Sequence, residues 1–180
     1  MNIIIGLGNP GEKYQHTRHN VGWLFLDFLV KKLELPEFSD QKKVFSKVSK
    51  NSDFLLVKPQ TFMNDSGRAV QAVLKWNGVD LNNPTTQQLN NLIVVYDDLD
   101  IELGKFKVQF GSGPKIHNGV NSVREHLHNA EFWNVRIGTD GRGGDRTQSG
   151  REYVLQPFSG DERKELEGVF EEIVKELVVH

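Results

Sequence analysis

The sequence predicts an α/β fold, a three-layer sandwich with a mixed, mostly parallel sheet flanked by helices. Three observations predict it. Asn2 to Ile5 and Leu92 to Tyr96 are short β-branched runs with the continuous apolar character of strands buried on both faces. Segments with apolar residues at three- and four-residue spacing alternate with such runs. No internal repeat or domain linker interrupts the 180 residues, so one domain covering 1–180 is expected.

The first strand ends at Gly6. From Asn20 to Leu33, Val21, Leu24, Phe25, Phe28, Leu29 and Leu33 mark an amphipathic helix that stops before Pro36. Val44, Phe45 and Val48, the turn pair Asn51-Ser52, and Phe54 to Val57 read as a hairpin ending at Lys58-Pro59. A helix from about Ser66 carries Ala69, Val70, Val73 and Leu74 and closes at Asn77-Gly78, a left-handed cap. Residues 80 to 91 read as a polar surface loop, and the strand from Leu92 to Tyr96 leads into Asp97-Asp98-Leu99-Asp100. Phe106 to Phe110 and Val135 to Ile137 are further strands, with a helix from about Asn118 to His128 between them. Gly138 to Gly150 has almost nothing apolar and reads as a mobile loop. A last helix from Asp161 presents Leu166, Val169, Phe170, Ile173, Val174 and Leu177 on one face.

Composition excludes several chemistries. Without cysteine there is no disulfide framework, thiolate zinc site, iron–sulfur cluster or cysteine nucleophile. No stretch approaches the roughly 18 apolar residues of a membrane span, and no basic lead-in precedes the first apolar run, so a cytoplasmic protein without a membrane partner is expected. The net charge of -2 argues at first against a nucleic-acid partner, but it is unevenly distributed. Leu103 to Arg124 holds Lys105, Lys107, Lys115 and Arg124 and no acid, whereas seven acids face three bases from Asp161 to His180.

Four signals bear on chemistry. Gly6-Leu7-Gly8-Asn9-Pro10-Gly11 after a strand has the spacing of a dinucleotide fingerprint. Pro10 removes a donor from that loop, however, and no second strand ending in an acid follows at the required distance, so a plain glycine turn is preferred. His19 begins a helix close to the end of the first strand, and Asp97 follows the strand ending at Tyr96. If those strands are neighbours, Asn9, His19 and Asp97 converge at their carboxyl ends. Asp97 would then fix the imidazole tautomer and leave the other ring nitrogen as a general base. Asp98 and Asp100 read as cation ligands or turn residues, with a turn favoured for Asp100. His126 and His128 lie on different helix faces and do not form a metal pair. No G-x-S-x-G or H-E-x-x-H pattern is present, so water is the natural nucleophile and hydrolysis the reaction class. Asn9, Asn64 and Asn118 add neutral hydrogen-bonding groups, each of which can equally be a turn or cap residue.

Together these blocks resemble the bacterial-type peptidyl-tRNA hydrolases. The similarity rests on Gly6 to Gly11 with Tyr14 and Thr17-Arg18-His19-Asn20, then Lys58-Pro59, Thr61-Phe62-Met63-Asn64 with Ser66-Gly67, Asp97 to Asp100, and His117-Asn118-Gly119. The resemblance implies a monomeric, cytoplasmic enzyme with no cofactor, no metal and no obligate protein partner. It implies cleavage of the ester joining a peptide, or an N-blocked amino acid, to the 3′ ribose of tRNA. By position, His19 is implied as the base, Asp97 as its support, and Asn9 as the group distinguishing blocked from free aminoacyl ends. Tyr14, Phe62, Asn64 and Asn118 are implied to contact the substrate near the scissile bond, and Lys107 and Arg136 the 5′ phosphate of tRNA. The chain departs from the family pattern at Ser112 to Ile116, where Ile116 replaces a glycine, and at Gly138 to Arg142. Two other readings are a tRNA-binding protein that has lost turnover and a dinucleotide-dependent oxidoreductase.

Overall fold

The structure is a computed structural model and describes residues 1–82, 89–114 and 116–179. Among the described residues, seven strands form one sheet: β1 (Asn2–Gly6), β2 (Ser39–Gln41), β3 (Ser46–Lys50), β4 (Phe54–Pro59), β5 (Leu92–Glu102), β6 (Phe106–Phe110) and β7 (Trp133–Asp140). Their order is β2-β3-β4-β1-β5-β7-β6. The four central strands are parallel, and β2-β3, β3-β4 and β6-β7 pair antiparallel. The helices are α1 (Val21–Lys32), α2 (Ser66–Trp76), α3 (Asn118–His126), the single turn α4 (Gly150–Tyr153) and α5 (Gly160–Val179).

Two apolar layers sandwich the sheet because strand side chains alternate between faces. Ile3, Ile5, Val57, Val94 and Tyr96 pack with Val70 and Val73 of α2 and Val120 and Val123 of α3. Ile4, Leu56, Val95 and Ile137 pack on the opposite face with Phe25 and Leu29 of α1 and Val169 and Phe170 of α5. Each fully buried Leu, Ile or Phe contributes about 1.5–3 kcal/mol relative to exposure, so both layers are needed to hold the sheet in place. From β1 the chain passes to the edge strand β2 and builds inward through β3 to β4 beside β1, then crosses to lay β5 on β1's other side. Ligand crevices in such sheets open at this reversal, outside the carboxyl ends of the strands.

Close packing explains the first glycine block. A Cβ on Gly6 would lie 2.5 Å from the carbonyl oxygen of Gly22, and one on Gly22 would collide with the carbonyl of Val95. The two glycines let α1 lie directly against β1 and β5. Between β1 and α1 come two short 3-10 turns, Glu12–Tyr14 and Arg18–Asn20, rather than a helix N-terminus aimed at the glycine loop. The arrangement therefore favours the packing role of these glycines over a pyrophosphate cradle.

Several boundaries differ from the sequence expectations. Val44 lies in a 3-10 turn (Lys42–Val44) and Phe45 follows it at φ 52, so the hairpin strand begins only at Ser46. Nothing in the sequence announces β2: its three polar residues carry no apolar alternation and form a strand only by pairing with β3. Asp97 and Asp98 continue β5 rather than follow it, because their charges have partners and the ladder to β7 runs on. β7 extends to Asp140, so the first three residues of the expected mobile loop are strand. Residues 83–88 of the expected polar loop, and Lys115 of the basic run, lie outside the described residues. Among the described residues, no helix is long and apolar enough to cross a membrane.

Candidate active site

β1 and β5 are direct neighbours, with Gly6 opposite Val95. This register brings the loop after β1 level with Asp97 and Asp98. Asn9 is buried there and makes a reciprocal pair with Asn20: its N–H donates to Asn20 Oδ1 at 2.9 Å, and Asn20 Nδ2 donates to the Asn9 carbonyl at 3.0 Å. Asn9 Oδ1 accepts the N–H of Met63 at 2.8 Å. The carbonyl end of this side chain is therefore occupied, and its NH2 is the end available to meet a ligand. The same bond anchors the segment carrying Phe62 and Asn64, both exposed beside it.

His19 sits in the 3-10 turn before α1. Its backbone N–H donates to the Val154 carbonyl at 2.8 Å, while Arg18 fixes the same segment. The buried Arg18 guanidinium bonds the carbonyls of Gln156 and Pro157, pairs with Glu162 at 2.6 Å, and stacks on Tyr153 and Phe158. His19 Nδ1 lies 2.8 Å from Asp97 Oδ1. That oxygen also meets His117 Nε2 at 3.0 Å.

The network assigns the protons. His117 Nδ1 accepts the N–H of Val120 at 3.2 Å and so caps the N-terminus of α3. Its proton therefore sits on Nε2, which donates to Asp97. With Asp97 ionised, His19 Nδ1–H is the second donor, and His19 Nε2 keeps its lone pair on the partly open side of the ring. Burial pushes the Asp97 carboxyl up, but the two facing imidazoles and their hydrogen bonds outweigh it and hold the group well below the usual carboxylate range. Burial alone would lower His19; the Asp97 charge and hydrogen bond reverse this and raise it above an ordinary histidine. His19, Asp97 and His117 are the one trio among the described residues with the composition of a cation site. One nitrogen of each ring already stands at hydrogen-bonding distance from a single carboxylate oxygen.

The other expected residues fall around this centre. Asn118 is the exposed first residue of α3, next to His117. Tyr14 is half-buried in the loop after Asn9, with the Lys13 ammonium 4.8 Å from its ring centroid. Arg136 and Lys107 are cross-strand partners on β7 and β6, away from His19 toward the sheet edge. Lys107 is exposed, whereas Arg136 is mostly buried, with Nε donating to Asp98 Oδ2 at 2.7 Å and Nη1 to Gln109 Oε1 at 3.0 Å. Asp98 is thus a buried ion-pair partner rather than a cation ligand, and its Oδ1 accepts the Asp100 N–H at 2.8 Å in a turn-type contact.

Two members of the site escape the sequence reading. His117 reads there only as the neighbour of Asn118, and its signal is a histidine directly before a helix start. Asn20 reads only as part of a motif, although it is fully buried and determines how Asn9 is held.

The profile of the family described as Peptidyl-tRNA hydrolase matches residues 3–180, a span that includes every residue of this centre. This chain belongs to the peptidyl-tRNA hydrolase family. It is 37% identical to a peptidyl-tRNA hydrolase of Prochlorococcus marinus over 98% of this chain and 86% of that protein. Its fold matches the crystal structure of the peptidyl-tRNA hydrolase from Acinetobacter baumannii with a TM-score of 0.78 and 27% identity, covering 95% of this chain and 83% of that one. An Arg119Gln mutant of the Acinetobacter enzyme matches with a TM-score of 0.79 over the same shares.

Proposed function

We propose that this chain hydrolyses the ester between a peptide, or an N-blocked amino acid, and the 3′ ribose of tRNA, with water activated by His19 Nε2. The observation carrying this reading is the single Asp97 oxygen that takes up His19 Nδ1 and so leaves Nε2 as the free nitrogen of a partly exposed imidazole. Water held at Nε2 gives up a proton as its oxygen bonds the ester carbonyl carbon. The C–O bond to the ribose then breaks, and the imidazolium returns that proton to the leaving 3′ oxygen, giving the peptide acid and tRNA. Asn9 NH2, held by Met63 and Asn20, is suited to donate to the acyl group. Phe62, Asn64, Asn118 and Tyr14 surround this centre as substrate contacts. Lys107 lies on one flank as a phosphate contact for the tRNA body, with Arg136 beside it already paired with Asp98.

An ester needs no metal or protein nucleophile for this chemistry, which suits a monomer acting in the cytoplasm on peptidyl-tRNA. The intact His19–Asp97 pair speaks against a binding protein without turnover, and packing against Gly22 accounts for Gly6 without a dinucleotide. The test is release of deacylated tRNA from N-acetyl-aminoacyl-tRNA and from the unblocked aminoacyl-tRNA. Release from the blocked substrate in preference to the free one is expected; no release from either would refute the reading.

A further inference from the structure

A cavity of about 240 Å³ opens at the same edge of the sheet, beyond the Met63 segment. It lies where β3 begins and β4 ends, since Ser46 pairs with Pro59. Phe45 forms one wall and is held at φ 52, a left-handed conformation that costs a bulky residue about 1–3 kcal/mol. Gln60 N–H donates to the Phe45 carbonyl at 2.7 Å and fixes this geometry. The strain keeps an aromatic ring partly exposed, with the Arg68 guanidinium 4.5 Å from its centroid. Thr61 lines the cavity, and its hydroxyl is buried without a hydrogen-bond partner. A buried orphan hydroxyl costs about 1–3 kcal/mol and calls for a use.

We propose that this cavity is a subsite for the peptide part of the substrate, taking the side chain of the third residue counted from the ester. This rests on the hydrolase reading above. The proposed phosphate contact Lys107 lies on the β7-β6 flank of the β1-β5 centre, and the cavity lies on the opposite β4-β3 flank. A substrate whose tRNA leaves toward one flank sends its acyl chain toward the other. Strands are spaced about 4.8 Å apart, so β3 is roughly 10 Å from β1, the reach of about three extended residues. The cavity is not a phosphate site: Arg68 is paired with Asp65 at 2.9 Å, and Lys42 shares the lining with Asp40. A near-neutral pocket with an aromatic wall and an unpaired hydroxyl suits an aromatic side chain stacked on Phe45 and a peptide carbonyl accepting from Thr61.

The experiment compares kcat/KM for N-acetyl-Phe-Gly-Gly-tRNA with that for N-acetyl-Gly-tRNA in the wild type, Phe45→Gly and Thr61→Val. Glycine accepts the Phe45 backbone conformation, and valine replaces the unpaired hydroxyl at nearly constant shape, so both variants are compatible with the fold. The wild type should prefer the longer substrate, and each variant should reduce that ratio by about 3- to 10-fold, chiefly through KM. Cleavage of both substrates with an unchanged ratio overturns the subsite alone. A parallel loss of affinity for deacylated tRNA would assign the cavity to nucleic acid and overturn it as well. Failure of the wild type to cleave either substrate removes the hydrolase reading and the subsite with it.

Discussion

His19 Nδ1 lies 2.8 Å from Asp97 Oδ1, and this one bond sets both the tautomer and the basicity of the imidazole. Because Asp97 stays ionised and raises His19, the fraction of active, unprotonated His19 falls at a higher pH than for an ordinary histidine. The acid limb of kcat/KM should therefore titrate above about 6.5, the unperturbed value. In Asp97→Asn the limb should move down and the plateau should drop about 10²- to 10⁴-fold. A limb unchanged between the two proteins would contradict the coupling.

His117 shares the same carboxylate oxygen and acts through it as a positioning residue. In His117→Ala, Asp97 loses one donor and its charge falls more fully on His19, so the acid limb should shift upward. Removing the cap from α3 should also cost about 1 kcal/mol in thermal or urea unfolding. Destabilisation without any movement of the limb would reduce His117 to a helix cap.

Stability should follow the same pair, with a definite sign. Asp97 is depressed in the folded state, so its contribution is present above the unfolded carboxylate value of about 3.9 and is lost as pH falls through the folded one. His19 is raised, so the contribution is full below about 6.5 and is lost as pH rises through its folded value. The Tm gap between wild type and Asp97→Asn should be widest between about pH 4 and 6.5. A gap that stays constant from acid to alkaline pH would contradict this.

Lys107 is the exposed cation of the β6-β7 edge, while Arg136 already has Asp98. Charge reversal at Lys107 should weaken tRNA binding and flatten the dependence of log K on log salt by about one unit for each phosphate that is no longer neutralised. Filter binding from low to moderate salt measures both. An unaltered slope would remove Lys107 from the tRNA surface.

Features decided by local pattern are legible in the sequence, and those decided by tertiary pairing are not. The buried runs of β1 and β5 and the spaced apolar residues of α1, α2 and α5 are local patterns, and the structure follows them. The neighbouring of β1 and β5, on which the meeting of Asn9 and Asp97 depends, is only a condition in the sequence and an observation in the structure. Acids usually end strands, so local pattern stops β5 at Tyr96; nothing local shows that Asp98 meets Arg136 from another strand. Nor does any propensity rule announce a histidine as the cap of α3, which hides His117 although Asn118 beside it stands out. Phe45 reads as an apolar strand residue, whereas its left-handed backbone turns it outward as a cavity wall.

The whole mechanism depends on His19 as the base. Its most direct test is the single-turnover rate of N-acetyl-aminoacyl-tRNA cleavage by His19→Ala, measured together with tRNA affinity. The predicted result is a loss of about 10²- to 10⁴-fold in rate with binding retained. A variant that cleaves at the wild-type rate would contradict it.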